Sequence, residues 1–353
     1  MSTHAPANTL SVSKSIDASD NGAAHLPSEL DSKWRPTASL ERLRQRAELL
    51  SRLRAFFAQQ GLWEVETPVL SADTVVDRYL DPVPVKPPCA SERENFWLQT
   101  SPEFGMKRLL AAGAEMIYQV TRAFRQDEAG PLHNPEFTMV EWYCVGDSLE
   151  RGMQRLADLC VAVLDCQAPT RLTYRDAFLQ TLALDPHTAS LAELKRCAAS
   201  ANLQVSDSFL SADHDEWLNL LLAERVQPRL GVTAPVIVCD YPASQAALAQ
   251  IRHDERGTRV ASRFELYAQG IELANGYHEL LDAAQLQLRQ TQANALRQSD
   301  GKARLPEDNR LIQAMQHGLP DCCGVALGFD RLAMIALGAQ QLSDVLAFPI
   351  DRA

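Results

Sequence analysis

The sequence predicts an α+β fold: an antiparallel sheet flanked by helices. Two observations carry this. Strand-like segments come in neighbouring pairs, 116–124 with 136–143 and 264–267 with 271–280, as hairpin-linked strands do. Between and around these pairs lie segments with apolar residues at helical spacing, at 39–60, 148–166 and 190–200. Mixed order of this kind places helices against an antiparallel sheet rather than building a parallel α/β repeat.

From the N-terminus, residues 1–35 are rich in Ser, Ala, Asp and Pro, which predicts a disordered polar tail with no apolar core of a secretory signal. The remainder, 36–353, is one domain without repeats or a long linker. Ser39 can cap the helix at 39–60, where Leu40, Leu43, Ala47, Leu50, Leu53 and Phe57 recur, and Gly61 can end it. Trp63, Val65 and Thr67 alternate with charges until Pro68, which predicts an edge strand. Trp97–Thr100 reads as a short strand. Ser101 then caps a helix with Pro102 at its first position, Glu103 in its first turn and Gly113 at its end. Residues 216–225 read as a helix and 235–241 as a buried strand. The stretch GVALGFDRLAMIALG, 324–338, reads as strand, turn and helix.

Composition narrows the function. At 46% hydrophobic and 22% charged residues the chain is a soluble globular protein, and no apolar run reaches the ~20 residues of a membrane span. A net charge of −11 disfavours a broad nucleic-acid surface and suits a basic partner. The 8 cysteines include no C-x-x-C pair, so reduced thiols in the cytoplasm are expected and a zinc site is not.

Three segments carry chemistry. In TRAFRQDEAGPLHNPEFTMVEWY, 121–143, arginines at a strand end offer planar forks for phosphate oxygens. On the return strand Phe137, Met139, Glu141 and Tyr143 share one face. A solvated hairpin face would not explain aromatics and carboxylates on the same side. In FELYAQGIELANGYHEL, 264–280, Glu265, Glu272 and Glu279 could set several carboxylates on one sheet, and hard cations such as Mg²⁺ prefer oxygen ligands. Asn275, Tyr277 and Glu279 share parity and would suit an ammonium group. In the third segment Gly328 permits close backbone approach and Arg331 opens the helix. Each segment taken alone could be ordinary surface or core.

In order and spacing the three resemble class II aminoacyl-tRNA synthetases: VETP at 65–68 their first motif, 121–143 the second and 324–338 the third. HNPEFTMVEWY (133–143) and IELANGYHEL (271–280) are similar to the lysyl subgroup, over roughly residues 36–353. The resemblance implies the class II catalytic domain, ATP with Mg²⁺, and a homodimer paired through its first motif. It implies that Arg125 holds the α-phosphate and Phe137 stacks on adenine. Gln126, Asp127, His133 and Asn134 would lie in the ATP-facing loop, and Glu265 and Glu272 would bind Mg²⁺. Leu273 and Gly328 would border the nucleotide, with Arg331 completing its site. Ser101, Pro102, Glu103, Glu141, Tyr143, Ala274, Asn275, Tyr277 and Glu279 would line the amino-acid pocket. Asp127 stands where a glutamate is common, and Ala274 where a glycine is; the Ala274 methyl is expected to shape the pocket toward a β-amino acid.

With only a short tail in place of an anticodon-binding domain, the chain most resembles the truncated lysyl branch of the family. That branch implies transfer of (R)-β-lysine to a lysine of elongation factor P rather than to tRNA. Two other readings stand beside it: a lysyl-type enzyme charging tRNA, or a non-catalytic paralogue that binds amino acid only. Retention of Arg125, Arg331, Glu265 and Glu272 disfavours the second. A lysine-type pocket disfavours an asparagine synthetase, which shares the domain.

Overall fold

A computed structural model describes residues 33–87 and 95–353. The predicted tail, apart from its last three residues, and Cys89 lie outside the described residues. Residues 36–353 form one compact unit.

The helices are α1 (Leu40–Gln59), α2 (Glu103–Ala111), α3 (Leu149–Leu164), α4 (Tyr174–Leu182), α5 (Leu191–Ser200), α6 (His214–Leu221), α7 (Ala283–Ser299), α8 (Arg310–Gly318) and α9 (Phe329–Ala336). The strands are β1 (Trp63–Glu64), β2 (Leu70–Ser71), β3 (Pro84–Val85), β4 (Phe96–Leu98), β5 (Met116–Phe124), β6 (Glu136–Val145), β7 (Thr170–Thr173), β8 (Val236–Pro242), β9 (Ile251–His253), β10 (Arg259–Ala268), β11 (Ile271–His278) and β12 (Cys322–Gly328).

Among the described residues, nine strands form the main sheet in the order β1-β5-β6-β12-β11-β10-β8-β7, with β9 beside β10. Its body is antiparallel, and only the outermost pairs, β1 with β5 and β7 with β8, are parallel. β1 is the predicted edge strand, cut to two residues, and its Trp63 stays 55% exposed. The strand expected at 97–100 instead joins β2 and β3 in a separate three-stranded sheet.

Alternation gives the main sheet two unlike faces. On one, Val140, Trp142 and Cys144 of β6, Val325 and Leu327 of β12 and Phe264 of β10 meet Leu53 and Phe57 of α1, Leu156 and Leu159 of α3 and Phe329 of α9. α3 packs closely because Gly152 lets Cys323 approach; a Cβ there would stand 2.1 Å from its Sγ. Ser39, Ser148, Thr173 and Ser190 cap their helices as sequence chemistry dictates.

The helix at 101–113 departs from expectation. It starts at Glu103, with Pro102 in the cap position. The Ser101 hydroxyl does accept from the Glu103 backbone N–H at 3.0 Å, but it also donates to Glu141 at 2.7 Å. The strand–turn–helix expected at 324–338 has no turn: β12 runs straight into α9. Residues 216–225 end in a wide helical turn, Leu222–Val226, after α6.

Candidate active site

The second face of the sheet is the floor of a cavity of about 980 Å³. The floor exists because β12, in the middle of the sheet, presents almost no side chain to it. Gly324 is paired with Tyr143 and Tyr277, and Ala326 with Glu141 and Asn275. Large residues on β6 and β11 therefore stand as two walls over a strand of Gly324, Ala326 and Gly328.

At one end of this trough two carboxylates clamp one ammonium, and a third carboxylate, Glu141, shares the lining. Lys107, 1% exposed, lies 2.5 Å from Glu103 and 2.6 Å from Glu279. Its Nζ is 5.8 Å from the centre of the Tyr143 ring. Tyr143 donates to Glu141 at 2.6 Å, and Asn275 donates to the Tyr277 hydroxyl at 3.0 Å. Burial pushes the Glu141 carboxyl up to about 7, helped by the Glu103 charge and opposed by the Tyr143 and Ser101 hydrogen bonds. Burial likewise pushes Glu279 up to about 8 against the pull of Lys107, with Glu103 adding to the rise. Burial works against the Lys107 charge, but Glu103 and Glu279 outweigh it and hold the ammonium above its ordinary range. Glu141 and Glu279 therefore take up protons more readily than ordinary carboxylates, and an incoming cation can displace them. Lys107 holds the cluster together. Lys107→Met leaves two buried carboxylates facing each other, and chemical denaturation should show a loss of about 3–5 kcal/mol.

At the other end stand the arginines. The Arg331 guanidinium donates to the Leu132 and Glu272 carbonyls at 3.1 Å each and lies 2.6 Å from His133 Nε2. Burial, and then the Arg331 charge, hold the His133 imidazole below its ordinary range, so it meets Arg331 as a neutral acceptor. Arg125 lies 5.1 Å over the Phe137 ring, and its Nε is buried without a hydrogen bond. Glu272 is pushed up to about 7 by burial and by Glu265, against Arg331, Arg263 and Arg125.

The structure thus gathers Ser101, Glu103, Arg125, His133, Asn134, Phe137, Glu141, Tyr143, Glu265, Glu272, Leu273, Ala274, Asn275, Tyr277, Glu279, Gly328 and Arg331 around one cavity. Pro102, Gln126 and Asp127 are outside its lining. Pro102 is buried behind Ser101. Asp127 sits in a left-handed turn at φ 62° that carries it away, with Gln126 bonded to it, and Glu128 lines the cavity instead, 3.8 Å from Arg125. Asn134 spends its amide on the Glu136 carbonyl and the Ile350 N–H, so it fixes the loop. Glu265, expected as a cation ligand, has both oxygens occupied: one by Arg263, the other by the Tyr241 and Tyr267 hydroxyls. The Ala274 methyl lies on the core face, beside Leu266 and Leu327. Its parity is opposite to that of Asn275, so Ala274→Gly should leave substrate preference in pyrophosphate exchange unchanged. Leu273 likewise packs in the core.

Sequence reasoning missed Lys107, although its i,i+4 spacing from Glu103 on a helix was a usable signal. It also missed Arg263, whose guanidinium lies 4.7 Å over the Tyr241 ring and whose Nε is buried without a partner. Among the described residues, no helix is long and apolar enough to cross a membrane.

Comparison with known proteins gives two findings. Residues 30–352 match the family described as tRNA synthetases class II (D, K and N). The chain is also 47% identical over 323 residues to the elongation factor P–(R)-β-lysine ligase of Yersinia enterocolitica (serotype O:8 / biotype 1B, strain NCTC 13174 / 8081), covering 91% of this chain and 98% of that protein.

Proposed function

The chain belongs to the class II tRNA synthetases (D, K and N), and from that premise we propose that it activates (R)-β-lysine with ATP and transfers it to a lysine side chain of elongation factor P. One observation carries the reading: a trough lined by carboxylates and an arginine-lined end share one cavity. The first suits the ammonium groups of a lysine-type substrate, the second a triphosphate.

The substrate carboxylate attacks the α-phosphorus, the bond to the bridging oxygen breaks, and pyrophosphate leaves. Charge builds on phosphate oxygens, where Arg125 and Arg331 stabilise it. The walls of the trough fix the carboxylate in line by holding the amines at the far end. A neutral acceptor amine then attacks the acyl carbonyl, AMP leaves, and the amine proton passes to solvent.

Mg²⁺ fits this site through one carboxylate. Glu272 reaches the cavity and is held partly protonated, while both Glu265 oxygens already accept hydrogen bonds, from Arg263, Tyr241 and Tyr267. Mg²⁺ commonly takes one or two carboxylates and otherwise binds substrate phosphates, so Glu272 with the nucleotide would hold it, and it would neutralise phosphate charge there. In this reading the enzyme is cytoplasmic, does not charge tRNA, and works as a homodimer joined near α1 and the exposed Trp63. Light scattering should give twice the chain mass.

The trough also predicts a pH dependence. The acid forms of Glu141 and Glu279 dominate below about 7 and about 8 and offer no charge to an ammonium. Raising the pH ionises them, so KM for the amino acid should fall between about pH 6 and about pH 8.5, by up to ~10-fold per unit while one proton is displaced. Exchange kinetics at saturating ATP measure it, and a flat KM would count against the assignment. The function itself is tested by intact mass of elongation factor P after incubation with the protein, ATP and (R)-β-lysine. A gain of one β-lysyl group is expected, and an unchanged mass contradicts the reading.

A further inference from the structure

α7 is built with its polarity reversed. Beyond Leu286 its inner side buries Gln290, Asn294 and Arg297, whereas Leu288 and Leu296, two turns apart and away from that side, are 58% and 41% exposed. The inner groups are fully used. Asn294 bonds Leu305 through both backbone groups, and Arg297 reaches the carbonyls of Asp77, Leu80 and Ala303 and the Asp81 carboxylate. Leu286 and these polar contacts therefore hold this helix, and the two exposed leucines do little for the fold.

The leucines line the rim of the cavity, as does Tyr79, itself 53% exposed. Asp77, Asp213 and Asp215 share that rim. Arg78 pairs with Asp213 at 2.5 Å, while Asp215 accepts from Ser244 and Asp77 from the backbone of Tyr79 and Leu80. None of these residues belongs to the arginine set or to the carboxylate trough. An apolar patch rimmed by carboxylates and opening on a reactive site fits a partner that brings both an apolar side chain and a cation.

Resting on the adenylation reading above, we propose that this rim, Tyr79, Leu288 and Leu296 with Asp77 and Asp215, is where the acceptor protein docks, through a loop that carries its target lysine beside an apolar residue. The aspartates draw the cationic loop in, and the apolar contact seats it over the cavity mouth. Seating the loop there also excludes water from the adenylate, which favours aminolysis over hydrolysis.

The test uses the full chain carrying Leu288→Ser with Leu296→Ser, both on an exposed helix face. Pyrophosphate exchange with (R)-β-lysine and trapping of the adenylate by hydroxylamine should match the parent protein. KM for elongation factor P, followed by intact mass, should rise ~10-fold or more, the scale of losing a hot-spot contact. Asp215→Asn should lower the transfer rate at low salt and flatten its salt dependence. Transfer at the parent's KM would overturn the proposal. So would a parallel loss of exchange, which would place α7 in the adenylation site, or a rim that governs charging of tRNA instead. If the parent itself shows no exchange, the adenylation reading fails before docking is reached.

Discussion

Arg125→Ala lowers pyrophosphate exchange by ~10²–10³-fold, the loss of about 2.7–4 kcal/mol expected when one preorganised donor at a developing charge is removed. Arg125 is not consumed by the fold: its Nε has no hydrogen bond, and its closest acid, Glu128, is 3.8 Å away. Its ring neighbour Phe137 lies 5.1 Å from the guanidinium. The loss should fall on kcat more than on KM for the amino acid, because the trough that binds the amines is untouched. Arg125→Lys should recover little, since a point charge cannot present a planar fork. A variant with parent exchange rates would remove Arg125 from the chemistry.

Gly324→Ala should remove the amino-acid site. A Cβ at this position would stand 2.3 Å from the Tyr143 ring and 2.4 Å from Glu279 Oε1. Both neighbours are fully buried walls of the trough and cannot retreat without breaking the Lys107 cluster. KM for (R)-β-lysine should rise ~100-fold, equivalent to about 2.7 kcal/mol, while nucleotide binding measured by fluorescent ATP displacement stays near that of the parent. Ala326→Gly, one step along the same face, makes the opposite change. It removes the only methyl between Glu141 and Asn275 and should shift preference among lysine isomers by ~1–3 kcal/mol, the worth of one methylene.

These two positions show what sequence could and could not supply. The walls were legible because alternation sets Phe137, Glu141 and Tyr143 on one face of β6, and Asn275 and Tyr277 of β11 with Glu279 just past its end on one face of the return strand. Applied to Ala274, the same alternation rule sends its methyl to the core, and the residue that shapes the floor is Ala326. That assignment needs the pairing register of β12 between β6 and β11, which no local pattern encodes. The hydrogen bonds of Glu265 were hidden for a similar reason: Tyr241, which donates to its carboxylate, lies on β8, 24 residues away. α7 was invisible because its buried side is Leu286 followed by Gln290, Asn294 and Arg297, so the apolar stripe stops after one turn. The helices at 39–60, 148–166 and 190–200 and the strand pairs at 116–124 with 136–143 and 264–267 with 271–280 follow from caps and periodicity that act locally, whereas β7, β9 and the strand order of the sheet rest on long-range pairing.

The central claim is that one cavity joins a cation-binding trough to a triphosphate cradle. Amino-acid-dependent ATP–pyrophosphate exchange, run across (R)-β-lysine, lysine, aspartate and asparagine, tests it most directly. Exchange with (R)-β-lysine, weaker exchange with lysine and none with aspartate or asparagine is the predicted outcome. Exchange with aspartate, or with no amino acid of the set, would contradict it.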